Sequence, residues 1–450
     1  MNKKRFRYGA FVGCLIILLT SFTVYKSSFS YFSVVNLRSS IDTGLRLLIV
    51  RDKCAEAPLM VEDIGMKQEP VCDVSNPMTD FCDINGDVRI HGKTSTVLFN
   101  TSSQNGIYAG NEPWKVKPYP RKIDTNAMKN VSQFSIKSFI NNTDEEVPQC
   151  NFSHNVPAII FSTAGYSWNH FHAYADIFIP LFLTSHMFNK EVQFLIANSN
   201  RYWIFKYEEI FRHLSRYPII DIDKEDNVHC HKRVIVRLKV HRDFDIDPTK
   251  SPKGYSMTDF SKFIRSAYSL NSKSSAMKIR DNLTVSRNQQ QQQPRLLLVS
   301  RKKTRKFINE DEIVTMAKSL GYEVIVAEPG SGVHGAGSTN IVFLPINAIL
   351  IQIVPLGGLE MVCRNYFGEP AKDMKLRYLE YKIRVKESSL IEQYPLDHVV
   401  FKDPLSVSKL GWSPQGWSAL RAVYLDKQDV HIDVHRFRPT LLKALQLLRN

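Results

Sequence analysis

RLLLVSRKKTRKFINEDEIVTMAKSLGYEVIVAE, residues Arg295 to Glu328, sets the fold class of the chain. RLLLV is a short apolar run of the kind a buried strand uses, Glu310 to Leu320 reads as a helix, and EVIVAE is a second strand. Strand, helix and strand in that order make an α/β unit. Directly beyond stands GVHGAGSTN, Gly332 to Asn340, with three glycines around His334 and the apolar run Ile341 to Leu344 behind it. Such a backbone can curl its amides around an anion, and a helix beginning near Ala336 would aim its positive end at the same place. A phosphate or diphosphate suits it; a tight Gly-rich turn between core elements is the plainer alternative. Ser300, Arg301, Lys302, Lys303, Thr304, Arg305 and Lys306 follow the first strand, at the end where parallel sheets bind ligands. Arginine there can grip phosphate oxygens as a bidentate fork, although a solvated charge run has the same composition.

On the C-terminal side, AILIQIVPL (Ala348 to Leu356) is another strand and HRFRPTLLKALQLL (His435 to Leu448) a basic amphipathic helix. On the other side, residues 271 to 294 lose all periodicity and carry Gln289 to Gln293, which marks a linker. Before the linker, Ala158 to Phe161 predicts a buried strand and Ser162 to Asn169 a turn. A helix is expected from about His170 to Met187, kinked near Pro180. Strands are expected at Val192 to Ala197, Pro218 to Ile222 and Val234 to Val240, with a helix near Asp259 to Leu270. This alternation predicts a mostly parallel sheet. CDVSNPMTDFCDINGDVRIHG (Cys72 to Gly92) reads as a loop with short strands, and a turn-rich region runs on to Cys150. Two α/β lobes joined by a linker would place a ligand cleft between them.

The chain has 450 residues and a net charge of +15, so it is long enough for two domains and favours anionic partners such as nucleotide-sugars, acidic polysaccharide or membrane surfaces. It has no dense Lys/Arg tract with interleaved aromatics, so nucleic acid is not the expected partner. Lys3, Lys4, Arg5 and Arg7 precede an uncharged run from Tyr8 to Tyr25, closed by Lys26. A helix of that length reaches roughly 27 Å, enough for a thin secretory-pathway bilayer, and the basic flank would stay cytoplasmic. A type II signal-anchor is therefore expected, with the remainder luminal; a cleaved signal peptide is the competing reading. Cys14 falls in the anchor, and the other six cysteines would meet an oxidising compartment. Of their pairings, only Cys72 with Cys82 is expected here. No C-x-x-C supports a zinc site, so no metal site is expected. Glycosylation acceptors occur at Asn100, Asn130, Asn141, Asn151 and Asn282.

The first lobe carries Asn169, His172 and Asp176. The last two are four apart and share a helix face, as an acid/base pair would; capping or tethering local backbone is the bland alternative. Two other constellations compete. Gly335, Gly337 and Asn340, with Glu360 beyond, nearly spell a dinucleotide fingerprint but lack its third glycine. Asp221-Ile-Asp223 and Asp243-Phe-Asp245-Ile-Asp247 offer paired acids for a divalent cation in a metal-dependent sugar transferase.

Taken in order, CDVSNPMTDFCDINGDVRIHG, FSTAGYSWNHFHAYADIFIPLF, LLLVSRKKTRKFINEDEI, GVHGAGSTN, QIVPLGGLE, ESSL (Glu387 to Leu390) and the closing Arg436 to Leu442 stretch resemble the plant branch of glycosyltransferase family 61. These are Golgi enzymes that decorate xylan with xylose or arabinose. The resemblance implies two Rossmann-like lobes of the GT-B type, inversion at the anomeric carbon and no required cofactor. It implies transfer of a pentose from a UDP-sugar to a xylan-type polysaccharide at the Golgi membrane, alongside other glycosyltransferases. On this reading residues 1–7 are the cytoplasmic tail, 8–25 the anchor, 26–67 the stem, 68–285 the acceptor-side lobe, 286–294 the linker and 295–450 the nucleotide-sugar lobe. Asp176 or His172 would be the base, with Asn169 on the acceptor side. Arg301, Arg305, His334, Gly335, Gly337 and Asn340 would meet the diphosphate, and Glu360 the ribose. Ala164 stands where the family usually has Gly, and Ser338 where it has Leu. Family members also carry a helix and a strand before the Gly-rich loop. Here only Glu328 to Ser331 separate it from the preceding strand, and a parallel crossover needs roughly a dozen residues. One α-β unit therefore reads as missing near 328–331, which motivates a second expectation: a catalytically dead, membrane-anchored paralogue that binds glycan or partner transferases.

Overall fold

The computed structural model describes residues 71–76, 79–101, 112–140, 147–251, 253–270, 293–328, 336–407 and 414–449. The expected anchor, the stem and most of the linker lie outside them. Among the described residues no helix is long and apolar enough to cross a membrane.

The first part is built on a ten-stranded sheet: β1 (Cys72–Asp73), β2 (Phe81–His91), β3 (Thr96–Asn100), β4 (Trp114–Val116), β5 (Phe134–Phe139), β6 (Phe152–His154), β7 (Ala158–Ser162), β8 (Gln193–Ala197), β9 (Ile220–Asp221) and β10 (Val228–Val236). Its main order is β4-β5-β3-β2-β10-β7-β8-β9. The β10-β7-β8-β9 side is parallel, as expected, but β2 pairs antiparallel with both β10 and β3, so the sheet is mixed. The stretch from Cys72, expected as a loop with short strands, does carry strands, but the second is the eleven-residue β2 and not a short one. The turn-rich region beyond it adds β3, β4 and β5, and the strand expected at Val234 to Val240 begins earlier, at Val228. Strand alternation divides the core. Ile159, Phe161, Phe194 and Ile196 pack beneath the helices on one face; Ala158, Ile160, Leu195 and Ala197 join Ile84, Val88 and Ile90 on the other. Cys72–Cys82 is bonded as expected, and Cys150–Cys230 forms a second disulfide.

After β7 the chain is helical from His170 to Phe188, but not as one kinked α-helix. A π-helical segment, Ala173–Phe178, precedes the α-helical Ile179–Ser185, in which Pro180 occupies the first turn. Proline has no N–H to give a carbonyl four residues back, and the widened turn upstream accommodates the loss. The same pattern recurs at Arg364–Gly368, a π-helical segment just ahead of Pro370. Helix α1 (Met257–Ala267) starts on a capping box between Ser256 and Asp259.

The second part contains two separate parallel pairs: β11 (Arg295–Val299) with β12 (Glu323–Ala327), and β13 (Ile349–Val354) with β14 (Arg377–Lys382). Helix α2 (Glu310–Ser319) joins the first pair, and α3 (Val434–Arg449) packs across both. The hydrogen bonds of α3 fix the relative direction of the pairs. Beside its start, Tyr381 Oη and Asn309 Nδ2 reach Asp433 and Ile432 beyond the strands' C-terminal ends. Along its length, Tyr322 Oη donates to Leu441 O just before β12, and Arg377 at the head of β14 donates to Leu447 O. All four strands therefore run the same way.

Candidate functional site

Asn169 caps the first helical turn, its side chain accepting from Phe171 N at 2.9 Å. The π-helical segment that follows carries Asp176 inward, where four bonds converge on its carboxylate. His172 Nδ1 lies 3.0 Å from Oδ2, Tyr119 Oη donates to the same oxygen at 2.6 Å, and Arg121 Nε does so at 2.8 Å. Arg121 Nη2 donates to Oδ1 at 2.7 Å. Burial alone would raise the Asp176 pKa, but Arg121 and then His172 hold it far below the usual carboxylate range. Asp176 is thus a fixed anion that aligns His172, with Oδ2 bonded three times and Oδ1 held by Arg121. With Nδ1 facing the carboxylate, Nε2 occupies the opposite edge of the ring. Local spacing revealed His172 and Asp176, whereas Tyr119 and Arg121 come from a loop more than fifty residues away with no periodic signal. Gly165 belongs to the same construction. Its φ is +59°, and a Cβ there would stand 2.4 Å from the Tyr119 ring.

His172 and Asn169 line a cavity of about 1,910 Å³ shared with the second part. From the opposite wall Arg301, Arg305 and Arg421 face into it. Arg305 sits at φ +55°, and its buried Nε has no hydrogen-bond partner among the described residues. Burial, then the neighbouring Arg301, lowers its guanidinium to about 10, with Arg421 adding to the effect and Asp426 opposing it. Asp426 is itself 3.2 Å from Arg421 Nε. Three guanidiniums sharing that carboxylate make a wall suited to an anion. The basic run after β11 lines the cavity from Arg301 to Arg305; Lys302 there also pairs with Glu328 (2.8 Å), while Lys306, outside the lining, pairs with Asp429 (3.6 Å). Arg421 was not legible in the sequence, because it lies in an ordinary amphipathic helix, Pro414–Tyr424.

Of the Gly-rich stretch, His334 and Gly335 lie outside the described residues. Ala336–Phe343 is a 3-10 helix, so a helix does begin where one was expected, and Gly337, Ser338 and Asn340 line the cavity. Asn340 Oδ1 lies 3.0 Å from Nε2 of His170, whose Nδ1 reaches Tyr207 Oη at 3.1 Å. Asn340 thereby joins the two walls. Glu360 opens a short helix after Gly357 and Gly358 but is not part of the cavity lining. Among the acceptor asparagines, Asn130 and Asn151 are exposed and Asn100 is half-buried; Asn141 and Asn282 lie outside the described residues.

The acidic tripeptides do not converge. Asp221 pairs with Lys224, Asp223 accepts from Asn198 N, Asp243 stands 3.3 Å from Arg121, and Asp247 accepts from Thr249. Asp245 is buried and hydrogen-bonded to Asp373 from the second part; burial first, then Asp373, pushes its carboxyl up to about 7 against the pull of Arg242. A folded-state pKa above the unfolded value means that stability is fully present below pH about 4 and lost as the pH rises toward 7. Asp245→Asn is expected to flatten that slope, raising the melting temperature more near pH 7.5 than near pH 5. Equal shifts at both pH values would contradict it.

No protein-family model matches the chain. It is 43% identical over 406 aligned positions to the alpha-1,3-arabinosyltransferase XAT3 of Oryza sativa subsp. japonica, covering 86% of this chain and 67% of that one. It is 39% identical over 406 positions to the beta-1,2-xylosyltransferase XYXT1 of the same plant, covering 84% of each chain. It is 31% identical over 449 positions to the xylan glycosyltransferase MUCI21 of Arabidopsis thaliana, covering 95% and 89%. The chain thus spans about two thirds of the rice arabinosyltransferase and most of the other two. In the first alignment 86% of 450 residues is about 387, fewer than the 406 aligned positions, so some positions are filled only in the relative.

Proposed function

Because the chain belongs to the plant xylan arabinosyl- and xylosyltransferases of glycosyltransferase family 61, and is a glycosyltransferase, we propose that it moves a pentose from a UDP-sugar onto a hydroxyl of a xylan-type polysaccharide with inversion. The observation that carries the mechanism is the shared cavity, with an Asp176-held imidazole on one wall and three guanidiniums on the other. In this reading the mixed sheet and the parallel pairs are the two lobes of a GT-B transferase. His172 Nε2 takes the proton of the acceptor hydroxyl, and the hydroxyl oxygen forms the new bond at the anomeric carbon as the bond to UDP breaks. Arg301, Arg305 and Arg421 stabilise the charge that develops on the departing diphosphate, supported by Gly337 and the remainder of the Gly-rich stretch. Trp168, at the cavity wall and 61% exposed, offers a flat face to a pyranose ring. Neither cofactor nor metal enters this scheme, and the reaction is placed on the luminal side of the Golgi membrane.

The test is a transfer assay with UDP-xylose and UDP-arabinofuranose on xylo-oligosaccharides in the presence of EDTA. Undiminished activity is expected. Loss of activity in EDTA, restored by manganese, would move the chemistry to the acidic tripeptides.

A further inference from the structure

A short helix, Arg201–Lys206, follows β8, just as the loop carrying Trp168 and Asn169 follows β7. The two strands are adjacent and parallel, so both segments leave the sheet at the same C-terminal edge, where sheets of this kind bind ligands. Two hydrogen bonds lay the helix along the loop. Trp203 Nε1 donates to Ser167 O at 2.9 Å, and Tyr207 Oη, just past the helix, lies 3.1 Å from Nδ1 of His170. Trp203 is buried and stacks on Phe178 at 5.2 Å, which sets the rotation of the helix. Tyr202 and Phe205, three apart and therefore on one face, are turned outward and are 83% and 75% exposed.

Among the described residues four aromatic side chains are half or more exposed. Three of them, Trp168, Tyr202 and Phe205, stand on this loop and helix, and only Phe152, on β6, stands apart. Trp168 lines the cavity beside Asn169 and His172, whereas Tyr202 and Phe205 lie outside its lining. The exposed rings thus extend from the cavity wall onto the adjoining surface. Side chains three apart on a helix stand roughly 5–6 Å from one another, a spacing on the scale of one sugar residue along a linear chain. Flat aromatic faces match the C–H faces of pyranose rings and leave the hydroxyl rim to water. The charges around them are mixed: Arg201 and Lys206 are exposed on the helix, and Glu208 and Glu209 on the next turn pair with Arg212. Such surroundings suit a neutral polyhydroxylated chain and, with two carboxylates beside the rings, not an anionic bilayer.

We infer that Tyr202 and Phe205, together with Trp168 at the cavity wall, form a stacking platform for sugar residues of the polysaccharide acceptor remote from the one that receives the pentose. The inference rests on the xylan-acceptor reading of the cavity and extends it, because the site then takes a run of sugars and acceptor affinity grows with acceptor length. Neither Tyr202 nor Phe205 touches the reacting atoms; their contribution is to acceptor binding.

The test uses the full chain and the double variant Tyr202→Ala with Phe205→Ala, with melting curves to confirm that these surface changes leave the fold intact. KM is measured for a disaccharide and a hexasaccharide of β-linked xylose, and retention by soluble xylan is followed in native affinity gels. The parent is expected to have the lower KM for the hexasaccharide. The variant should raise that KM at least about fivefold, keep the KM for the disaccharide and the affinity for UDP, and lose retention by xylan. Tyr202→Phe with Phe205→Tyr should behave as the parent, and leucine at both positions as alanine does, since leucine is apolar but offers no flat face. An unchanged hexasaccharide KM in the alanine variant, or full rescue by leucine, would overturn the platform while leaving the transfer reaction standing. Xylan retention that disappears in the variant, in a chain that transfers no pentose from either UDP-sugar, would uphold the platform and sink the reaction. Binding to phosphatidylserine vesicles that the alanine variant abolishes, with xylan retention untouched, would assign the rings to the membrane and overturn the inference.

Discussion

Replacing His172 with alanine is expected to lower kcat about 10²- to 10⁴-fold while leaving donor binding unchanged, the loss typical of removing a positioned general base. The expectation rests on how little freedom Asp176 has. Its two oxygens already accept from Arg121, Tyr119 and the His172 ring, and Arg121 holds the carboxyl in its ionised form. Such a carboxylate orients an imidazole well and competes poorly for a substrate proton. Asp176→Asn should therefore retain more activity than His172→Ala in whatever fraction stays folded, since an amide can still accept from the ring. Activity is to be read at saturating donor, alongside UDP affinity for the same preparations. If His172→Ala kept most of its kcat while a folded Asp176→Asn lost it, the carboxylate would be the base.

The legibility of this molecule follows the range of the interactions involved. β7, β8, β11, β12 and β13 were visible because each is a short apolar run whose meaning is complete within five or six residues. The full length of β2 was not legible, because Asp83, Asn85, Gly86 and Asp87 within it read as turn formers. In the sheet, Asp83 is bound by Arg233 across the strand pair, a tertiary partner that supplies what local propensity lacks, and Asp87 is held by Arg89 two residues on. The helix from His170 was legible as helical, but its π-helical segment was not, since the i-to-i+4 spacing of His172 and Asp176 reads as an ordinary helix face. For the site, the same rule separates His172 and Asp176, four residues apart, from Tyr119, Arg121 and Arg421, which reach it only through the fold.

Arg121→Ala is expected to be the most damaging single substitution for stability, costing about 3–5 kcal/mol, because it leaves a buried carboxylate without its partner. The Arg121 side chain is 1% exposed and that of Asp176 2%, so water cannot replace the guanidinium. The arginine also stands at φ +85° and contacts Asp243 at 3.3 Å, tying the loop after β4 to the π-helical segment and to the Asp243 loop at once. Two outcomes distinguish its role as an ion partner from mere packing. Arg121→Met, which keeps much of the volume, should be nearly as destabilising as alanine if the uncompensated charge dominates. The double variant Arg121→Met with Asp176→Leu should recover stability while remaining inactive, because replacing both members of a buried pair removes the stranded charge. Melting curves of the three variants decide the matter. A single Arg121→Met as stable as the parent would show that the carboxylate does not need its partner, and the ionised state of Asp176 on which the catalytic reading rests would fall with it.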